Sequence, residues 1–332
     1  MKNVLIIGGA GYVGTVLTSY LLKRGYSVTV LDNLVYNNHS SIVQYLGDSN
    51  YSFVKGDMSD SKILSEAAEG VTDVVLLAGL VGDPITKKFP IESEMINDRG
   101  VQHCMSFFKK TNIDKFIFIS TCSNYGLIKE DELADENFVL NPLSSYAKSK
   151  VAAEKFLLAQ KDEAEYTGVV LRFATAFGLS PRMRFDLSLS EFVRDMFFEQ
   201  DLIVFDEHTW RPYCHTHDFA RLIEIVIKAP KKLVGFEIFN AGGDVNNSTK
   251  KMIVDNILKY LPNAKVKYKA EGSDPRNYKV SFKKVKTVLG FEPDFRIDDG
   301  INELIRTLKL GFYYNSLQER DKYGNYSVNH KI

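Results

Sequence analysis

The sequence predicts an α/β fold, a doubly wound parallel sheet with a smaller α/β lobe. Three observations predict it. Short runs of β-branched and apolar residues alternate with helical patterns through the first half of the chain. A glycine-rich turn joins the first run to the first helix. The composition is that of an ordinary globular protein, 332 residues with 45% hydrophobic and 25% charged.

Val4–Ile7 reads as a buried strand, and Tyr12–Arg24 as a helix with Val13, Leu17 and Leu21 on one face. Gly25 ends that helix, as a glycine beyond the last turn commonly does. Ser27–Leu31 is the second strand, and Tyr51–Val54, Asp73–Leu77, Lys115–Ile119 and Thr167–Leu171 continue the series. Strands separated by helices imply βαβ units and a sheet covered on both faces. After Arg172 the alternation loosens. Phe173–Tyr213 reads as a loop containing Gly178 and Pro181, then a helix near Ser190–Glu199. Helix and strand patterns resume over Asp218–Asn240, and short elements follow to about Tyr314. The expected division is residues 1–172 plus 214–240 for the sheet domain and 173–213 plus 241–314 for a substrate lobe. Residues 315–332 form a polar tail that composition alone would leave flexible.

Charge and cysteine content exclude several classes. The 42 Lys+Arg balance 42 Asp+Glu, so a duplex nucleic acid is not an expected partner. The zero is a cancellation, since residues 1–172 are acidic and residues 173–332 basic. A small anionic ligand held by a few placed arginines is therefore compatible with it. No apolar run reaches the roughly 18 residues of a membrane span, and the N-terminal run is too short for a signal peptide. Cys104, Cys122 and Cys214 are scattered and odd in number, which points to a reducing, cytoplasmic setting rather than a disulfide framework.

Gly8-Gly9-Ala10-Gly11-Tyr12-Val13-Gly14 follows the first strand and opens the first helix. Gly8 and Gly9 permit a tight turn. Gly11 removes a side chain where a pyrophosphate approaches the backbone, and Gly14 allows close packing of the helix. The N–H groups of Tyr12 and Val13 then face the phosphates at the positive end of the helix dipole. Asp32, with Asn33 beside it, ends the second strand. A carboxylate there accepts from ribose hydroxyls and repels a 2′-phosphate, so NAD is the expected cofactor.

Tyr146 and Lys150 stand four apart in a helical stretch and face the same side. A nearby ammonium and an oxidised nicotinamide both favour a phenolate. Lowering the phenol from about 10 to about 7 takes about 4 kcal/mol of differential stabilisation. A tyrosine-lysine pair alone would be chance, but behind a dinucleotide motif it reads as an acid–base pair. Thr121 ends the fifth strand, where ligands of such sheets bind. Its hydroxyl suits either a substrate hydroxyl and the Tyr146 oxygen or the turn's own backbone.

These motifs together resemble the extended short-chain dehydrogenase/reductase family, in its sugar-nucleotide epimerase/dehydratase branch. The resemblance also draws on Gly56-Asp57-Met58, Leu77-Ala78-Gly79, Tyr125-Gly126, Arg172-Phe173 and Trp210–His215 with Asp218. Asp274-Pro275-Arg276 and Leu289-Gly290-Phe291 extend it. It implies a Rossmann-type NAD site in which Asp57 and Met58 bracket the adenine. Leu77, Ala78 and Gly79 would pass under the pyrophosphate and nicotinamide ribose, and Lys150 would hold that ribose. It implies that Tyr146 takes a proton from a sugar hydroxyl, usually at C4, giving a 4-keto sugar nucleotide. Dehydratases of the family carry a carboxylate pair after the threonine, and decarboxylases a glutamate. Cys122 and Ser123 stand there instead, which leaves C4 oxidation or 4-epimerisation. A C4 dehydrogenase of a GDP-linked hexose or heptose in surface-polysaccharide synthesis is the specific expectation, with a 4-epimerase as the alternative. A non-catalytic NAD sensor is a third, and the intact Tyr146 and Lys150 speak against it.

On the substrate side, Arg211 and Arg276 match family positions that contact the diphosphate or its ribose, as guanidinium groups suit phosphate. Thr175 stands where many epimerases carry an asparagine beside the sugar-side phosphate. Arg184 is a substrate candidate by proximity, whereas Arg182 reads better as a solvated surface charge. His215, His217 and Asp218 lack a further ligand in view, so no metal site is expected, and His215 should fix its loop by hydrogen bonding. Cys122 reads as a packing residue, and Asn97 as a support for the strand–loop geometry. A homodimer is expected by analogy, through the Tyr146 helix and the helix before it.

Overall fold

The structure is a computed structural model that describes residues 2–129, 132–270, 272 and 276–328. Six strands appear where the apolar runs predict them: β1 (Asn3–Ile7), β2 (Ser27–Asp32), β3 (Tyr51–Lys55), β4 (Asp73–Leu76), β5 (Lys115–Thr121) and β6 (Thr167–Phe173). Further on lie β7 (Thr175–Phe177), β8 (Leu202–Phe205), β9 (Trp210–His215), β10 (Glu237–Ala241), β11 (Asn247–Thr249) and β12 (Val266–Lys269). Seven form one parallel sheet in the order β10-β6-β5-β4-β1-β2-β3.

The pleat sorts the side chains of this sheet between two cores. Val4, Ile6, Val75, Ile117, Ile119, Val169 and Leu171 join one apolar cluster. Their neighbours Leu5, Ile7, Val74, Leu76, Phe116, Phe118 and Val170 join the other, on the opposite face. Every residue of β4, β5 and β6 is buried, as a parallel sheet with helices on both faces requires. Each fully buried large apolar side chain contributes roughly 1.5–3 kcal/mol, so the central strands anchor the site.

The smaller lobe has its own apolar cluster, with Phe177, Phe185, Phe192, Ile253, Ile301 and Leu304. It holds the three-stranded β11-β9-β7 sheet, the β12-β8 pair and the helices Ser188–Phe197, Lys250–Leu258 and Ile297–Lys309. Residues 173–213 thus contain three strands where the sequence reads mainly as loop. β7 and β8 are too short for periodicity to register, and Pro212 argues against a strand at β9.

Residues 315–328 of the tail pack on the rest of the chain, although composition alone would leave them flexible. Phe185 N donates to the Tyr323 carbonyl at 2.7 Å, and the Arg182 guanidinium to the Gly324 carbonyl at 2.9 Å. Asn325 Nδ2 reaches the Val81 carbonyl at 3.3 Å, and Lys88 Nζ the Tyr326 carbonyl at 2.9 Å.

Candidate active site

A cavity of about 610 Å³ opens at the carboxyl ends of β1, β4 and β5. It lies where the strand order reverses between β1 and β4, the place such sheets bind ligands.

The glycine loop forms one wall. Gly8 has φ +87°, and a Cβ there would lie 2.6 Å from the Ala78 nitrogen. A Cβ on Gly14 would meet the Gly8 carbonyl at 2.6 Å, so only glycine lets the helix start this close to the turn. Gly9 stands in the same turn, and a Cβ there would meet the Val30 side chain at 2.6 Å. Gly11 caps helix Tyr12–Leu22 with no side-chain acceptor and no acidic residue in the first turn. The first N–H groups and the dipole therefore face the cavity without a carboxylate to occupy them. Asp32 accepts from Ala10 N at 3.0 Å and Leu34 N at 2.8 Å, so it braces the loop as well as facing the cavity. Burial raises its carboxyl pKa, and those two N–H groups oppose the rise.

Asn33 Nδ2 bonds Asp57 at 3.0 Å. Tyr12, Val13, Asn33, Asp57, Met58, Leu77, Ala78 and Gly79 all line the cavity. A glycine cradle, an uncapped helix start and an acid at the end of β2 fit a dinucleotide.

Ser144 caps helix Ser145–Leu158 by accepting from Ala147 N at 3.2 Å. Tyr146 and Lys150 project from it into the cavity, with Lys150 Nζ 5.9 Å from the Tyr146 ring centre. Lys150 donates to the Ile119 carbonyl at 2.8 Å. Its burial lowers its pKa to about 8, and Glu154 acts the other way. The expected depression of the Tyr146 phenol is not produced by the chain itself. Burial pushes the phenol above its ordinary value, Arg184 pulls it down and Asp83 pushes it further up. Removing a phenolate from water outweighs the two guanidiniums, Arg184 and Arg276, that favour it.

Thr121 lines the cavity too, and its Oγ1 accepts from Ser123 N at 3.1 Å, the backbone role. That bond leaves the hydroxyl proton available to a ligand. Ser123 Oγ lies 3.2 Å from the Tyr278 hydroxyl. Cys122 is buried with its thiol on the Arg172 carbonyl at 3.2 Å, and burial raises its pKa.

Thr175, Arg184, Arg211 and Arg276 all reach the cavity. Arg211 stacks its guanidinium 4.9 Å from the Tyr278 ring centre. Arg184 and Arg276 arrive as ion pairs, with Asp186 at 2.5 Å and Asp83 at 3.1 Å. Arg182 corrects the surface reading. It is buried, lines the cavity and lies 5.2 Å from the Tyr36 ring centre. Asp274 and Pro275 lie outside the described residues. Asp186, in the unusual 180–186 run of the sequence, also lines the cavity, and so do Asp83, Tyr278, Asn325 and Tyr326, which no sequence signal had marked.

Behind the site, Glu154 forms a buried ion pair with Arg172 at 2.7 Å and accepts from Ser120 and from Asn124 at 2.8 Å. Asn97 clamps Leu80 through its N–H at 2.8 Å and its carbonyl at 3.0 Å. It does so from a π-helical segment, Glu94–Gly100, a local widening often found at functional sites. His215 accepts from His217 N at 3.2 Å and meets Glu303 at 3.1 Å, a loop-fixing role. Among the described residues no cluster of metal-ligating side chains occurs.

Fold and cradle together define an NAD-binding α/β protein with a tyrosine–lysine pair beside the cofactor site. A model of the NAD dependent epimerase/dehydratase family matches residues 4–242, and the chain belongs to that family. It is 26% identical to UDP-glucuronate 4-epimerase of Thermodesulfobacterium geofontis, over 93% of this chain and 100% of that protein. It is 25% identical to the low-salt glycan biosynthesis protein Agl12 of Haloferax volcanii, over 91% of this chain and 97% of that protein. The crystal structure of dTDP-glucose 4,6-dehydratase from Bacillus anthracis in complex with NAD shares the fold. Its TM-score is 0.82 at 24% identity, over 95% of this chain and 98% of that one.

Proposed function

We propose that the chain oxidises the C4 hydroxyl of a nucleotide-activated sugar and releases the 4-keto product, in the synthesis of a surface glycan. The observation that carries this is the Tyr146–Lys150 pair sharing one cavity with the dinucleotide cradle and Thr121. Bound NAD⁺ supplies a hydride acceptor and a positive charge. Tyr146 Oη removes the hydroxyl proton, and Thr121 Oγ1 orients that hydroxyl while its own backbone bond holds it still. Lys150 holds the nicotinamide ribose and favours the phenolate. Arg211 faces the sugar diphosphate.

Elimination of water at C6 is disfavoured. The position after Thr121 holds a thiol turned to a backbone carbonyl, not a carboxylate able to act as acid or base. The similarity to UDP-glucuronate 4-epimerase supports a second reading, 4-epimerisation without net redox change. Similarity to Agl12 supports the glycan setting.

Incubation with UDP-, GDP-, CDP- and dTDP-sugars followed by mass spectrometry separates the outcomes. A product lighter by two hydrogens supports the dehydrogenase. An isomer of unchanged mass supports the epimerase, and loss of water overturns both. Tyr146→Phe is expected to lower kcat by about 10²–10⁴ with NAD affinity unchanged. Wild-type turnover in that variant would remove Tyr146 from the base's role.

A further inference from the structure

Thr121 is followed by the short helical turn Cys122–Tyr125, and three of its four side chains point back into the protein. Cys122 lies on the Arg172 carbonyl, Asn124 donates to Glu154, and the Tyr125 hydroxyl donates to Asn240 at 2.7 Å. Ser123 alone of the four lines the cavity, and it is only half-buried, so a ligand can reach it. Ser123 N donates to Thr121 Oγ1 at 3.1 Å, which ties it to the residue that orients the C4 hydroxyl in the proposed reaction. Its Oγ meets the Tyr278 hydroxyl at 3.2 Å, across 155 residues of sequence.

That side-chain bond is not what fixes the Tyr278 segment, whose backbone is held independently. Asn277 donates to the Gly126 carbonyl at 3.2 Å and accepts from Ile128 N at 3.0 Å, and Tyr278 N donates to the Trp210 carbonyl at 3.2 Å. Arg211 of β9 stacks 4.9 Å from the Tyr278 ring centre. A ring fixed in this way delivers its hydroxyl to Ser123, and both residues line the cavity. Burial pushes the Tyr278 phenol above its ordinary value, and Arg211 pulls it down. Near neutral pH it therefore keeps its proton and acts through hydrogen bonds rather than as a base. A serine hydroxyl has one proton and two lone pairs, so Oγ bonded to Tyr278 keeps capacity for a further group. A sugar hydroxyl, both donor and acceptor, fits either polarity of the pair.

We infer that Ser123 and Tyr278 form a sugar-positioning pair: Ser123 Oγ holds a sugar hydroxyl other than the one Tyr146 deprotonates, and Tyr278, a positioning residue, fixes the direction of Oγ. This deepens the C4-oxidation reading by adding a second point at which the sugar ring is held, and it rests on that reading for the sugar as ligand. Thr121 by itself fixes one hydroxyl and leaves the ring able to turn about it. A second hydrogen bond, joined to the first through the Ser123 backbone, removes that freedom and aims C4 at the hydride acceptor.

The test uses the full chain loaded with NAD. The probes are UDP-glucose and GDP-mannose, each with its monodeoxy counterparts at C2, C3 and C6. Binding is measured by calorimetry and turnover by product analysis, for wild type, Ser123→Ala, Ser123→Thr, Tyr278→Phe and the Ser123→Ala, Tyr278→Phe double variant. Ser123→Ala should weaken binding of at least one parent hexose about tenfold. One of that hexose's deoxy counterparts already lacks the partner hydroxyl, so the same change should weaken it less than about twofold. Ser123→Thr keeps the hydroxyl and should restore most of the loss. Tyr278→Phe keeps the ring on Arg211; it should weaken the parent about threefold, spare the same deoxy sugar and add little to Ser123→Ala. Equal losses for the parent and all its deoxy counterparts would mark a merely structural role and overturn the inference. So would unchanged parent binding in Ser123→Ala, or a wild type that binds neither hexose. Selective losses without any C4 chemistry would sustain the pair and refute the reaction. C4 oxidation with uniform losses would do the reverse.

Discussion

Lys150 is buried beside Tyr146, whose ionisation the proposed reaction asks its charge to assist. Burial holds its pKa near 8 rather than 10.5, so the folded state disfavours the ammonium. Below about pH 8 the full penalty acts on the folded protein. Between pH 8 and 10.5 the unfolded chain holds the proton more often than the folded one, so this lysine's contribution to stability rises with pH. The full span corresponds to about 3 kcal/mol. The neutral amine still donates to Ile119, so the native contact survives the titration. Denaturant unfolding of wild type and Lys150→Met at pH 7.5 and 9.5 checks this. Wild type should gain on the variant at the higher pH, and a constant gap would show that the lysine does not titrate in this window. Tyr146 and Lys150 were legible because their spacing repeats with the helix. Tyr278 was not, because a single aromatic residue outside a periodic pattern reads as ordinary packing. Its hydroxyl meets Ser123 only through the packing of distant segments.

The helix Ser145–Leu158 is the element on which the site depends most. One face holds Tyr146 and Lys150, and the next turn holds Glu154 on Arg172 of β6. That buried pair ties the helix to the sheet, with Arg172 also donating to the Tyr125 hydroxyl at 3.0 Å. Removing one partner leaves a buried charge without its counterpart. Glu154→Gln or Arg172→Met should therefore destabilise by about 3–5 kcal/mol in denaturant unfolding. Replacing both with apolar residues should cost clearly less than the two single changes added. Strict additivity would mean that the two residues act independently. At this scale, strands of four to seven mostly apolar residues were readable from the alternation of apolar runs with helical patterns. The three residues of β7 and of β11 were not, since so short a strand exists only by pairing with β9.

Across the whole molecule, the tail returns to the sheet end of the chain and supplies Asn325 and Tyr326 to the cavity wall. It touches Val81, Arg182 and Phe185, which belong to both sides of the site. A chain ending at Gln318 should retain its far-ultraviolet dichroism and lose on the order of tenfold in NAD affinity, read by fluorescence titration. Unchanged affinity would reduce the tail to a packing element. Dimerisation through the Tyr146 helix and the helix before it stands as a proposal for light scattering to examine.

The first six strands along the chain, the cofactor cradle and the tyrosine–lysine pair follow from local sequence, because glycine spacing and hydrophobic periodicity act over a few residues. The sequence also determined that Cys122 and Ser123, not carboxylates, follow Thr121. Tertiary structure alone decided that Arg184 and Arg276 enter the site already paired, that Arg182 is buried, and that the polar tail lines the cavity. It also decided that burial raises the Tyr146 phenol against the pull of Arg184 and Arg276. Each of these depends on which distant groups share a low-dielectric space, and a linear pattern does not encode that neighbourhood.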